Sequence, residues 1–248
     1  MAYDDASKMD DKANSLGPRM STKTLSVELA AVFALQLLLV AGFVHLDRVF
    51  SLGGHLHGIV GLVFVLLPTM VMDRRDRPYG RYGIAWGKPL GDVLWTLGAL
   101  IVLFPLVILG TLLAFKVLGS QIWGLRTTHW EFAWPLGYPG VAFSHLVVVA
   151  LPEEFFYRGY VMGRLDDIFR SRRKLFGADV GWSLLISSVL FALGHYLIDF
   201  NPSRLLVFFS ALAFGWLRAK RGTIGGPILL HAASNIFMEI FRAGYGLR

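Results

Sequence analysis

The sequence predicts an all-α fold, a polytopic transmembrane bundle of about seven spans (seven or eight) with its N-terminus in the cytoplasm. Three observations lead there. Of 248 residues, 55% are hydrophobic and the mean hydropathy is +0.56, too apolar for an ordinary soluble domain. The apolar residues come in long blocks rather than in one-faced or alternating patterns. Basic residues then alternate between the segments that join the blocks.

Residues 1–22 are polar, mixed in charge and free of apolar periodicity, so a disordered cytoplasmic tail is expected there. Residues 23–248 read as one transmembrane domain without repeat or linker. A helix needs about 20 apolar residues to cross roughly 30 Å of hydrocarbon. The blocks able to do so are 25–44, 57–72, 89–117, 138–161, 182–199, 204–218 and 224–241. The first lacks a small-residue cleavage site and reads as an uncleaved span, not a removed signal. The block at 89–117 is long enough to tilt, or to break at Pro105.

With the N-terminus inside, the inner segments hold 17 Lys and Arg and the outer ones 6, with Arg158 alone left inside a span. A missed or extra span would spoil that alternation. The net charge of +7 is thus an orientation signal, and nucleic acid is not an expected partner. Absence of cysteine excludes thiol catalysis, disulfides and thiolate metal sites.

Few strongly polar residues remain within the blocks: Glu28, His145, Glu153, Glu154, Arg158, His195, His231, Asn235 and Glu239, with Asp92 and Asp199 near helix ends. Ionisable groups at membrane depth face a bundle interior or a wet cavity. Glu154 and Arg158 are four apart and share a helix face, where they can pair. Glu153 is rotated about 100° and can point elsewhere, so one glutamate is expected held and one free. Pro152 removes a backbone hydrogen bond just before the pair, favouring an irregular spot. Phe191 stands one turn before His195, and Asp199 one turn after it, able to orient the imidazole or to end the helix in solvent. His231 and Asn235 share a face among small residues, as interhelical glue or as two donors for an oxyanion.

Taken in order, residues 150–158 (Glu-Glu-x-x-x-Arg), 191–195 (Phe-x-x-x-His) and 227–235 (His-x-x-x-Asn) resemble the three motifs of the CPBP family, the CAAX protease and bacteriocin-processing (Abi) intramembrane proteases. The resemblance extends through Phe208–Gly215 and Arg221–Pro227 and covers about 138–240. It implies a glutamate-dependent endopeptidase acting on a membrane-associated protein or peptide. By resemblance, Glu153 and His195 activate water, His231 and Asn235 form the oxyanion hole, and Glu154, Arg158, Phe191 and Asp199 support them. No cofactor is expected. Two alternatives stand beside this reading: a zinc peptidase using Glu153, His195 and His231, and a non-catalytic immunity or scaffold protein. The short chain with Arg-rich loops suits a bacterial inner membrane. The four catalytic residues should line one cavity, although Glu153 falls nearer the cytoplasmic end of its span and His195 past the middle of its own, so some offset between helices is required.

Overall fold

Ser21 accepts a hydrogen bond from the Thr24 amide (3.1 Å) and so starts α1, Thr22–Phe50, satisfying one of the four free amides of a helix start. The computed structural model describes residues 20–51, 57–74, 78–85, 87, 89–118, 129–135 and 137–245, without the side chains of 57, 111–118 and 199. Most of the expected tail, 1–19, lies outside them. α1 buries Leu25, Leu29, Val32, Gln36 and Val40, one stripe at helical spacing, against the core.

α2 is His57–Asp73, followed by a short 3₁₀ turn at Tyr79–Tyr82. α3 runs Pro89–Leu118 with Pro105 inside it. The break allowed at Pro105 does not occur: outside a helix the backbone has no partner at membrane depth, so losing one hydrogen bond does not end the span. α4 spans Tyr138–Ile168; α5 is Trp182–Asp199, α6 Val207–Arg221 and α7 Gly225–Gly244. The described chain is an all-α membrane bundle, and α1, α3 and α4 are each long and apolar enough to cross on their own.

Two features were not anticipated. α4 is not a plain α-helix: Ser144–Ala150 and Phe155–Val161 are π-helical, and only Leu151–Glu154 between them keeps the α pattern. Between α4 and α5 an antiparallel hairpin pairs β1, Arg172–Leu175, with β2, Ala178–Gly181. Its two turn residues, Phe176 and Gly177, both have positive φ (49° and 75°), as a two-residue turn matched to strand twist requires.

The loops sort into two ends, as the charge alternation predicts. At one end Ile224 donates to the Gly83 carbonyl (3.0 Å), Arg221 to Asp92 (2.7 Å), and Arg81 pairs with Asp167. At the other, the Trp130 indole donates to the Phe241 carbonyl (3.1 Å). The charge count itself needs correcting. Arg164, assigned to a loop, sits in the last α-helical segment of α4 and is wholly buried; its guanidinium reaches Glu28 on α1 at 2.5 Å. A basic residue near a helix end is therefore not always a solvated topology signal.

An offset of helices brings the expected site residues level. At roughly 1.5 Å per residue, His231 lies about 9 Å from the start of α7, whereas His195 lies about 20 Å from the start of α5. α5 thus begins roughly 10 Å beyond α7 at the charged end and stops soon after His195. α6, with 15 residues, reaches about 22 Å, short of the ~30 Å core. In the α5–α6 turn Phe200, Leu205 and Leu206 are exposed, as is Phe209 at the start of α6.

Candidate active site

Pro152 lacks the N–H that would continue the ladder, and the widened π turns on either side set the register of Glu153 and Glu154. Glu154 points inward and is fully buried, as is Arg158 one turn on. Arg158 Nε stands 3.1 Å from Glu154 Oε2, a contact of charge rather than an aligned hydrogen bond. Its Nη2 donates to the Ala211 carbonyl on α6 (3.0 Å). The guanidinium also lies over Phe191 (4.5 Å) and Phe214 (5.2 Å), so ring faces supply part of what water would.

Glu154 Oε1 holds His231 through Nδ1 at 2.9 Å. Its two oxygens are thus committed to an arginine and a histidine. Glu153 is different: its side chain is 16% exposed, and its Oε2, which like Glu154 Oε2 makes no hydrogen bond among the described residues, has no arginine beside it there. That oxygen faces His195 Nε2 at 3.8 Å and His231 Nε2 at 4.0 Å. Both distances exceed a hydrogen bond, so the three atoms face one another without bonding.

His195 is fixed from its own helix. Its Nδ1 lies 2.9 Å from the Phe191 carbonyl, which accepts the Nδ1 proton and leaves the Nε2 lone pair facing Glu153. This bond stands where the sequence offered Asp199, whose side chain lies outside the described residues. The Phe191 ring stacks obliquely on His195 (4.4 Å) and edge-on to His231 (5.8 Å). Gly194 permits the approach of α5 to α4: a Cβ there would stand 2.5 Å from the Tyr157 hydroxyl.

The structure therefore gathers Glu153, Glu154, Arg158, Phe191, His195 and His231 from α4, α5 and α7. Asn235 follows His231 one turn later on α7, half-buried, with no hydrogen bond to this group. Sequence reading missed the contribution of α6. Phe214 stacks on His231 (4.9 Å, 17° between planes), and Ala211 gives its carbonyl to Arg158; both lie in the stretch 208–215, where Ala211, Phe214 and Gly215 form a buried face at helical spacing. Among the described residues no three His, Asp or Glu side chains are arranged to hold a metal ion.

No curated protein and no solved structure matches the chain. Residues 135–237 match the family described as type II CAAX prenyl endopeptidase Rce1-like. That segment contains α4 to most of α7 and every residue of the charged cluster. Over that segment, which is less than half of the chain, the protein is similar to the CAAX-type prenyl endopeptidases.

Proposed function

We propose that the chain is a metal-independent, glutamate-dependent intramembrane endopeptidase whose water is activated by Glu153 and His195. The observation that carries this reading is the division of labour between adjacent carboxylates. Glu154 is committed to Arg158 and His231, while Glu153 keeps an unbonded oxygen 3.8 Å from a histidine nitrogen with a free lone pair. A water in that gap gives a proton to the Glu153 carboxylate and hydrogen-bonds to His195 Nε2 as its oxygen attacks the scissile carbonyl. Glu153 then returns the proton to the leaving amine, and the products are one carboxylic acid and one amine.

His231 spends Nδ1 on Glu154, so its Nε2 donates only when the His231–Glu154 pair holds one extra proton between its members. Nε2–H of His231 and the Asn235 carboxamide then receive the oxyanion. Phe191, Phe214 and Arg158 keep the rings and carboxylates in place.

The zinc alternative would use the same atoms, and metal content rather than their spacing decides it. Bonds of about 2.0–2.2 Å in a tetrahedral site hold ligands roughly 3.4 Å apart, and the three candidate atoms stand 3.8 and 4.0 Å apart around Glu153. The family's name makes a prenylated C-terminal peptide the first substrate to try, in a bacterial inner membrane. The decisive experiment measures cleavage of such a peptide by purified wild type and Glu153→Gln, beside metal content by mass spectrometry. Cleavage by metal-free wild type and none by Glu153→Gln is expected. Stoichiometric zinc lost in His231→Ala would overturn the glutamate mechanism, and full function in Glu153→Gln would favour a non-catalytic role.

A further inference from the structure

We propose that the base of the β1–β2 hairpin and the lipid-facing side of α5 form a binding site for one anionic glycerophospholipid. The phosphate sits at Arg173, and an acyl chain runs along α5.

The hairpin is strongly basic: Arg170, Arg172, Arg173 and Lys174 against Asp179. Its pairing divides those charges. Arg172 and Lys174 lie on one face, where Arg172 pairs with Asp166 at 3.0 Å and Lys174 stands opposite Asp179 in the register. Arg173 lies on the other face, opposite Val180, and makes no ion pair among the described residues. It opens instead onto a shallow cavity of about 350 Å³ lined by Ser171, Arg173, Val180, Gly181, Trp182 and Leu185. A guanidinium, a hydroxyl and an indole around a space with apolar walls suit a phosphate ester better than a peptide carboxylate, because the apolar part continues. From the cavity, Leu185, Val189, Leu193 and Leu197 follow at four-residue steps, all exposed, an unbroken track of roughly 18 Å down α5.

Depth agrees with this occupant. Counted by helix rise, Trp182 stands roughly 10 Å beyond the start of α7 at the charged end of the bundle, the side on which a headgroup would sit. The hairpin folds back toward that side. Its tip is held by Trp216 Nε1 on the Leu175 carbonyl (2.9 Å) and Lys220 Nζ on the Phe176 and Gly177 carbonyls (3.4 and 3.3 Å). Phe176, 84% exposed beside an exposed Leu175, enters the interface there. Basic residues around an apolar tip are complementary to anionic headgroups above acyl chains.

The test uses the full chain in detergent, stripped of lipid, with dioleoylphosphatidylglycerol, dioleoylphosphatidylcholine or inorganic phosphate added. Retained lipid is counted by native mass spectrometry, and the thermal midpoint is followed in parallel. Wild type retains phosphatidylglycerol in preference to phosphatidylcholine and gains thermal stability from it. Arg173→Gln lowers its affinity for phosphatidylglycerol about fivefold, the weight of one basic residue at an anionic surface. Arg173→Lys recovers most of it, and Arg172→Gln, on the opposite face, changes it less. Equal retention by Arg173→Gln and wild type, no preference for phosphatidylglycerol, or equal stabilisation by inorganic phosphate alone would each overturn the proposal. Peptidase activity is not the readout, so the result stands apart from the catalytic assignment.

Discussion

Glu154–Arg158 and Glu28–Arg164 are both glutamate–arginine pairs in which the arginine is wholly buried and lies over two aromatic rings. Their surroundings differ. Arg164 ties α1 to α4, stacks on Tyr82 and Tyr160, and has Asp167 as a further acid at 3.9 Å; the Tyr160 hydroxyl adds a long contact to Glu28 (3.4 Å). The Glu154–Arg158 pair instead holds an imidazole, and a second carboxylate beside it is left with an unbonded oxygen. Buried charge alone thus says little about chemistry. A carboxylate oxygen left without a hydrogen bond beside two imidazoles says much more.

The largest expected effect separates the two regions on activity. Glu153→Gln should lower turnover by about 10²–10⁴ or to background, as loss of a general base does. Its thermal midpoint in detergent should stay at the wild-type value, because the amide keeps size and hydrogen bonding. If Glu154→Gln is inactive while Glu153→Gln turns over normally, the roles within the pair are reversed.

Next come the arginines. Arg158→Ala should cost about 3–5 kcal/mol, since it removes one charge of a fully buried pair, and Arg164→Ala less, since Glu28 is only partly buried and keeps its Tyr160 contact; both are measured by chemical unfolding in micelles. Turnover per folded molecule should fall only for Arg158→Ala. An equal loss of turnover in Arg164→Ala would erase the distinction drawn above.

Asn235→Ala should reduce kcat by about 10²–10³, or roughly 2.7–4 kcal/mol of transition-state stabilisation, with KM little changed. Steady-state kinetics on one peptide decide it, and a rise in KM at constant kcat would move Asn235 from oxyanion donor to substrate binding. The smallest effect belongs to α6. Phe214→Leu removes a stacked ring from His231 and should cost about 0.5–1.5 kcal/mol beyond the buried area; unaltered stability would mean that the stack contributes nothing.

The apolar blocks showed the seven helices with ends a few residues short, because membrane length and hydropathy are properties of single segments. The Glu154–Arg158 contact was legible for the same reason: a four-residue spacing on one helix sets it. The meeting of Glu153 with His195 and His231 was expected only from the ordered motifs. Periodicity does not encode that α5 is displaced along its axis. Arg164 was misread because a charge at a predicted helix end looks solvated until a partner such as Glu28, some 130 residues away, is seen. Phe214 was invisible singly among 19 phenylalanines. The π turns left no mark beyond Pro152, since packing against neighbouring helices, not residue preference, decides whether a turn takes an extra residue.

Those π turns bear on how the chain should be compared with its relatives. Each holds one residue more than the α-turn it replaces, so it behaves as an absorbed insertion. Deleting one residue within 144–150 or 155–161 would restore the ordinary ladder and leave the two halves of α4 facing as they do. Across 151–154 the spacing is intolerant, while just outside it length can vary by one without changing the span as a whole. Alignments of this helix should therefore place single-residue gaps inside the π segments and none at Leu151–Glu154. A gapless alignment through either segment would pair residues that face different neighbours.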